Sequence, residues 1–185
     1  GDKITITFGD RSGGSPGMRL QTFCEDSYEF HTLIDPIATY CYQPMPVQPV
    51  IKIIPGKPDR YLAVAPTIRA IDESFSIKFK GEDKWGNPSD QCNIQLCPRA
   101  SHPVQNLPDV VSLKPGEFFG VIEGLSVANA ADLHIDFLDD AGAVMCRTNP
   151  IRIEPAPLSR HFWGDLHGQS EETIGTGSAE AYFAF

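Results

Sequence analysis

The sequence predicts a mainly β protein built around an immunoglobulin-like sandwich, and three observations carry that expectation. Short stretches rich in β-branched and aromatic residues recur through the middle of the chain. Gly and Pro, 16 of each in 185 residues, punctuate them as turns do. Between two of the stretches lies Asp139-Asp140-Ala141-Gly142, a tight-turn signal, since Asp and Gly tolerate positive φ.

The chain divides into three parts. In residues 1–48, the alternating run 3–8 and the run 28–34 read as strands that could pair across the Gly/Ser-rich turn 9–17. They form a β segment of an incomplete sandwich, or an extension packed on the next unit. Pro44, Pro46 and Pro49 close it, because proline removes a ladder donor and holds the backbone extended.

Residues 49–154 hold eight candidate strands, at 50–54, 60–64, 74–79, 93–96, 118–122, 132–138, 143–146 and 149–153. That number in about a hundred residues fits an immunoglobulin-like sandwich. Phe75, Ile77 and Phe79 share one parity, as do Leu133, Ile135 and Phe137, so each strand has one face to bury. Trp85-Gly86-Asn87-Pro88 reads as a turn laying its Trp over the sandwich edge, ahead of its other reading as an aromatic platform for a sugar.

Residues 155–185 read as a stiff Pro155-Ala156-Pro157 link, a strand near 162–166, a loop, and a helix capped by Ser178 with Glu180 at its positive end. Strand, loop and helix in that order make the first strand and helix of an incomplete α/β barrel.

Composition narrows the function classes. A net charge of −9 argues against a nucleic-acid surface, which needs clustered Lys and Arg. No apolar run reaches a bilayer's width, and Gly1-Asp2-Lys3-Ile4 lacks the character of a signal peptide, so no membrane partner is expected. The five cysteines, Cys24, Cys41, Cys92, Cys97 and Cys146, are odd in number and without a Cys-x-x-Cys pair. Reduced, mostly buried thiols in a cytoplasmic protein are the expectation, with a Cys92–Cys97 bridge the oxidised alternative.

The chemistry concentrates at His161-Phe-Trp-Gly-Asp165-Leu-His167-Gly-Gln169-Ser170. On a strand, Asp165, His167 and Gln169 share a face while Leu166 packs the other, which suits a metal-dependent hydrolase. His167 reads as a direct metal ligand, Asp165 as a ligand or as the carboxylate that orients the imidazole. Gln169 is a ligand or a hydrogen-bond partner of metal-bound water, and a solvated loop is the plainer reading of Glu171 and Glu172. Gly175-Thr-Gly-Ser178 could cradle phosphate, but helix capping alone accounts for it. His31, His102 and His134 have no ligand-spaced partner. No serine shows a triad arrangement, and no catalytic residue is assigned.

Trp163-Gly-Asp165-Leu-His167-Gly-Gln169-Ser170, followed by Gly175-Thr-Gly-Ser178-Ala-Glu180-Ala-Tyr182-Phe183, resembles a family of uncharacterised proteins related to the polymerase and histidinol phosphatase (PHP) superfamily. Residues 79–88 and 112–153 resemble, more weakly, the β-rich region before the barrel in those proteins. The resemblance implies a PHP-like distorted β/α barrel whose first strand opens with Asp-Leu-His-x-His, holding up to three divalent metals. Here Gln169 replaces the second His, and a neutral amide favours a harder ion, manganese or magnesium, over zinc or iron. Fifteen residues follow Ser170, too few for the rest of such a site, so the chain reads as the N-terminal portion of a metal-dependent hydrolase of small-molecule esters, phosphoesters among them. Alone it would be inactive, and its partner would be the remaining catalytic-domain polypeptide. The competing reading is a non-catalytic sandwich that binds glycan or protein.

Overall fold

A computed structural model describes residues 5–157, 159, 169, 175 and 177–184. Its first elements form a long two-stranded arm. In it β1 (Glu25–Glu29), β2 (Leu33–Ile34), β3 (Gln43–Pro44) and β4 (Val50–Ile53) pair antiparallel, β1 with β4 and β2 with β3. Where the prolines break the ladder, Gln48 replaces backbone: its Oε1 accepts from Thr32 N at 2.7 Å, and its Nε2 donates to Thr32 O at 3.2 Å. At the tip the Asp35 carboxylate collects Tyr40 N at 2.6 Å and the Thr39 hydroxyl at 3.2 Å.

The body follows with β5 (Arg60–Val64), β6 (Ile68–Ala70), β7 (Phe75–Glu82), β8 (Ile94–Ala100) and β9 (Val111–Leu113). It continues with β10 (Gly120–Leu125), β11 (Ala131–Leu133), β12 (Ile135–Leu138), β13 (Val144–Arg147) and β14 (Ile151–Glu154). One sheet runs β10-β7-β5, all antiparallel. The facing layer runs β13-β12-β8-β9 and continues as β11-β14-β6. A single chain run is interrupted at His134, between β11 and β12, and its partner run at Thr148–Pro150, where proline has no N–H to give. Thr148 mends both breaks, its N donating to Ile135 O and its Oγ1 accepting from Ile135 N, each at 3.0 Å. After β5 the chain crosses to the second layer, where β6 joins β14 in parallel. The crossing is fastened by Ala65 N donating to Asn149 Oδ1 at 2.9 Å.

The two layers bury the residues that the alternation selected. Phe75, Ile77 and Phe79 of β7 meet Leu133, Ile135 and Phe137 of the facing layer, all 4% exposed or less. The Phe79 and Phe137 rings lie 5.5 Å apart. The turn at 139–142 forms as expected, with Asp139 Oδ1 accepting from Ala141 N and Ala143 N and Gly142 at φ 82°. Gly120 faces Phe79 across the ladder, and a Cβ there would lie 2.3 Å from Phe79 Cζ; only glycine leaves room for the ring.

Several expectations are corrected. Residues 5–8 are not strand, although Phe8 stacks on Phe30 at 4.5 Å between centroids. The strand at 50–53 pairs with β1, not with the sandwich, because the arm folds back on itself. The short strands β6 and β9 were not anticipated. Cys92 is the one fully buried thiol; Cys24 and Cys41 are exposed, and all five cysteines are free, so no Cys92–Cys97 bridge exists. The helix α1 (Ala179–Ala184) has its expected cap, Ser178 Oγ accepting from Ala181 N at 3.1 Å. The strand expected near 162–166 lies outside the described residues. Among the described residues, no helix is long and apolar enough to cross a membrane.

Candidate functional site

The arm joins the sandwich through the loop after β7, and one carboxylate organises the junction. Asp83 is 4% exposed, and its Oδ1 accepts from Trp85 N at 2.9 Å and Asn87 N at 3.0 Å. Its Oδ2 accepts from Gly56 N and from Asn87 Nδ2, both at 3.0 Å. Burial pushes this carboxyl up, yet the hydrogen bonds from the Asn87 amide and from the Gly56, Asn87 and Trp85 backbone outweigh it and hold the pKa at about 2. Asn87 then reaches the arm, its Oδ1 accepting from Cys24 N at 3.1 Å and its Nδ2 donating to Thr22 O at 2.8 Å. The sequence signal was an Asp ahead of a Gly-Asn-Pro turn, a pattern in which the carboxylate caps its own loop; it was read only as a turn.

This junction leaves a groove of about 850 Å³ between the base of the arm and the outer face of the β10-β7-β5 sheet. Its floor is apolar: Leu62 and Val64 point outward from β5, and Phe118 and Phe119 lead into β10, with exposures of 37% to 62%. An outer sheet face that meets only water alternates to polar residues, as β7 does here with Lys78 and Lys80. The charges at the rim are largely matched already. Lys52 Nζ sits 2.7 Å from Asp26 Oδ1, and Glu82 takes Lys80 at 2.8 Å and Arg60 at 2.7 Å. Cys24 also lines the groove. Burial first, then the Asp83, Asp90 and Asp26 carboxylates, push its thiol up, which keeps it protonated and unsuited to nucleophilic work. The groove has the chemistry of a contact surface, an apolar patch set among paired charges.

Trp85 is half exposed beside the junction. Arg19 Cζ lies 5.4 Å and Lys84 Nζ 4.9 Å from its ring centroid. The indole thus already serves as a cation partner.

Of the three residues expected to hold metal, Asp165 and His167 lie outside the described residues, and Gln169 is exposed. Among the described residues, no group of three His, Cys, Asp or Glu could hold a metal ion. His134, expected to be structural, has its backbone N donating to Ser101 Oγ at 3.1 Å.

No protein-family profile matches the chain, and no curated protein matches it. Among solved structures, the D00-D0 domain of Intimin is similar with a TM-score of 0.39 at 7% identity, over 58% of this chain and 56% of that one. The likeness spans little more than half of either chain, and nothing about this protein follows from one that slight.

Proposed function

We propose that the described residues constitute a non-catalytic, immunoglobulin-like sandwich whose work is to bind another polypeptide in the groove at the base of the arm. One observation carries the reading: the outward face of β5 and the approach to β10 present Leu62, Val64, Phe118 and Phe119 to solvent beside a fixed arm. The strand order supports the immunoglobulin-like assignment, since β5 lies in one sheet and its continuation β6 pairs in parallel with the last strand of the other. A protein partner fits better than a glycan. The lining is mostly apolar, its Lys52, Asp26 and Lys80 are already in ion pairs, and Trp85 is engaged by cations.

The partner we assign is the catalytic-domain polypeptide implied by the motif at 163–170, a PHP-like metal-dependent hydrolase of small-molecule esters. The support for that domain is the sequence itself, in which Asp165, His167 and Gln169 stand at every second position. A divalent ion held by His167, with Asp165 and Gln169 assisting, would activate water in that domain; the sandwich would position the domain and take no part in the chemistry.

Hydrogen exchange on the 185-residue chain, alone and joined to the polypeptide that continues its motif, tests the reading. Protection at 62–64 and 118–121 is expected to rise by roughly tenfold or more when the catalytic part is present. Equal protection in both forms sinks it. Loss of bound metal in His167→Ala, read by elemental analysis of the longer protein, tests the hydrolase assignment separately.

A further inference from the structure

We propose that two copies of this chain pair edge to edge through the β1–β2 side of the arm, antiparallel, with Glu29 of one copy opposite His31 of the other. The inference is independent of what the groove binds. A two-stranded ribbon is marginal by itself in water, and this one keeps both of its edges.

The two edges differ in their chemistry. Phe30 N donates to Pro49 O at 2.9 Å, and Thr32 O accepts from Met45 N at 3.0 Å. The even-numbered residues of this strand therefore turn their backbone groups toward the hairpin partner. By alternation, Glu29, His31 and Leu33 turn theirs away. On the opposite strand Met45 N faces inward, so Pro44 and Pro46 face out, and neither has an N–H to offer. Prolines on an edge are how β proteins refuse further strands. The run 25–34 has no Pro, Gly or Lys and is thus open to one.

Charge then selects the register. Outward residues must meet outward residues, a condition that any residue-centred antiparallel pairing meets; the three that bring Glu29 or His31 against a copy of either are centred on Glu29, Phe30 and His31. Centring on Glu29 sets that carboxylate against its own copy, which opposes like charges, and centring on His31 sets imidazole against imidazole with no carboxylate opposite. Centring on Phe30 puts Glu29 opposite the partner's His31, twice by symmetry. The two side chains already reach each other within one chain, His31 Nδ1 lying 3.2 Å from Glu29 Oε1, so all four would gather on one face of the new sheet. On the other face the two Phe30 rings would meet at the dyad, each already flanked by Phe8 at 4.5 Å and Tyr28 at 5.3 Å. The interface is isologous and closes at two copies.

Sedimentation of the full chain under reducing conditions tests this directly. A dimer is expected to form by ~100 μM, and a monomer at that concentration overturns the proposal. His31→Pro removes an outward N–H without touching the hairpin's own ladder, so its dissociation constant should rise by roughly tenfold or more while its far-UV spectrum is unchanged. Undiminished dimerisation of that variant puts the interface elsewhere and overturns the edge pairing. Glu29→Lys should weaken the dimer, and adding His31→Glu to it should restore the affinity to within roughly threefold. Failure of the exchanged pair to recover overturns the register.

Discussion

The sandwich and the arm are both antiparallel β structure made from similar residues, and they are held in order by opposite means. In the sandwich, Phe137, Ile77 and Ile135 are fully buried, and the buried Glu82 is matched by Arg60 and Lys80. In the arm, Leu33, Tyr40 and Val47 are 55%, 88% and 77% exposed, and polar side chains do the fastening. Asp35 ties the tip, and Gln48 spans the gap that the prolines leave in the ladder. β-Propensity does not distinguish a strand that is buried from one that is offered. The difference lies in what is packed against it, and in the arm that contact is left to be made.

Breaking the core should separate the two regions most sharply. Phe137→Ala removes a ring with no solvent exposure, packed on Phe79 from the opposite layer, and should destabilise the fold by about 3 to 5 kcal/mol. Denaturant unfolding monitored by far-UV circular dichroism reads the loss. A cost below about 1 kcal/mol would mean that the layers do not share one core.

The next effect belongs to the junction between the regions and depends on pH. The Asp83 carboxyl is held at about 2 against an ordinary value of 3.8, so its contribution is complete above pH 4 and is lost as pH falls through 2. The shift corresponds to about 2 kcal/mol. Between pH 5 and pH 2, the lower end of which reaches the folded value without passing it, the native protein should lose most of that stability relative to Asp83→Asn, which has no proton to take up. Parallel pH profiles for the two proteins would show that Asp83 is not held as a carboxylate by the Gly56, Trp85 and Asn87 donors.

Legibility in the sequence followed the same division. The alternation at 75–79 and 133–137 named the core correctly, because each buried face is written into a single strand. The turn at 139–142 was equally local. The pairing of 50–53 with 25–29 was not, because a strand does not carry the identity of its partner. The strands at 68–70 and 111–113 are too short to show a period, and their assignment comes from the ladders beside them. The groove could not be foreseen, since its floor joins outward residues of one sheet to the base of an arm distant in sequence. Asp83 was within reach but was outweighed by the more conspicuous Trp85 beside it. The motif expected to hold metal is the reverse case, conspicuous in the sequence at 163–170, while Asp165 and His167 fall outside the described residues.

The smallest effect is expected at the tip of the arm, where it sharpens the contrast with Phe137. Tyr40 is 88% exposed, and its backbone N, not its ring, is what Asp35 holds at 2.6 Å. Tyr40 also adopts φ 63°, a conformation that costs any side chain other than glycine, so Tyr40→Ser neither relieves nor adds to that strain. The substitution should leave the unfolding free energy within about 0.5 kcal/mol of the native value, because it removes apolar surface that is already in water. Tyr40→Gly at the same position should be neutral or slightly stabilising, since it relieves the positive φ without touching the Asp35 bond. If Tyr40→Ser instead costs more than about 1 kcal/mol, the ring is packed against something, and the arm already has its partner within the chain. A neutral result places the reason for an exposed aromatic ring at the tip outside this chain's own stability, in what the arm contacts.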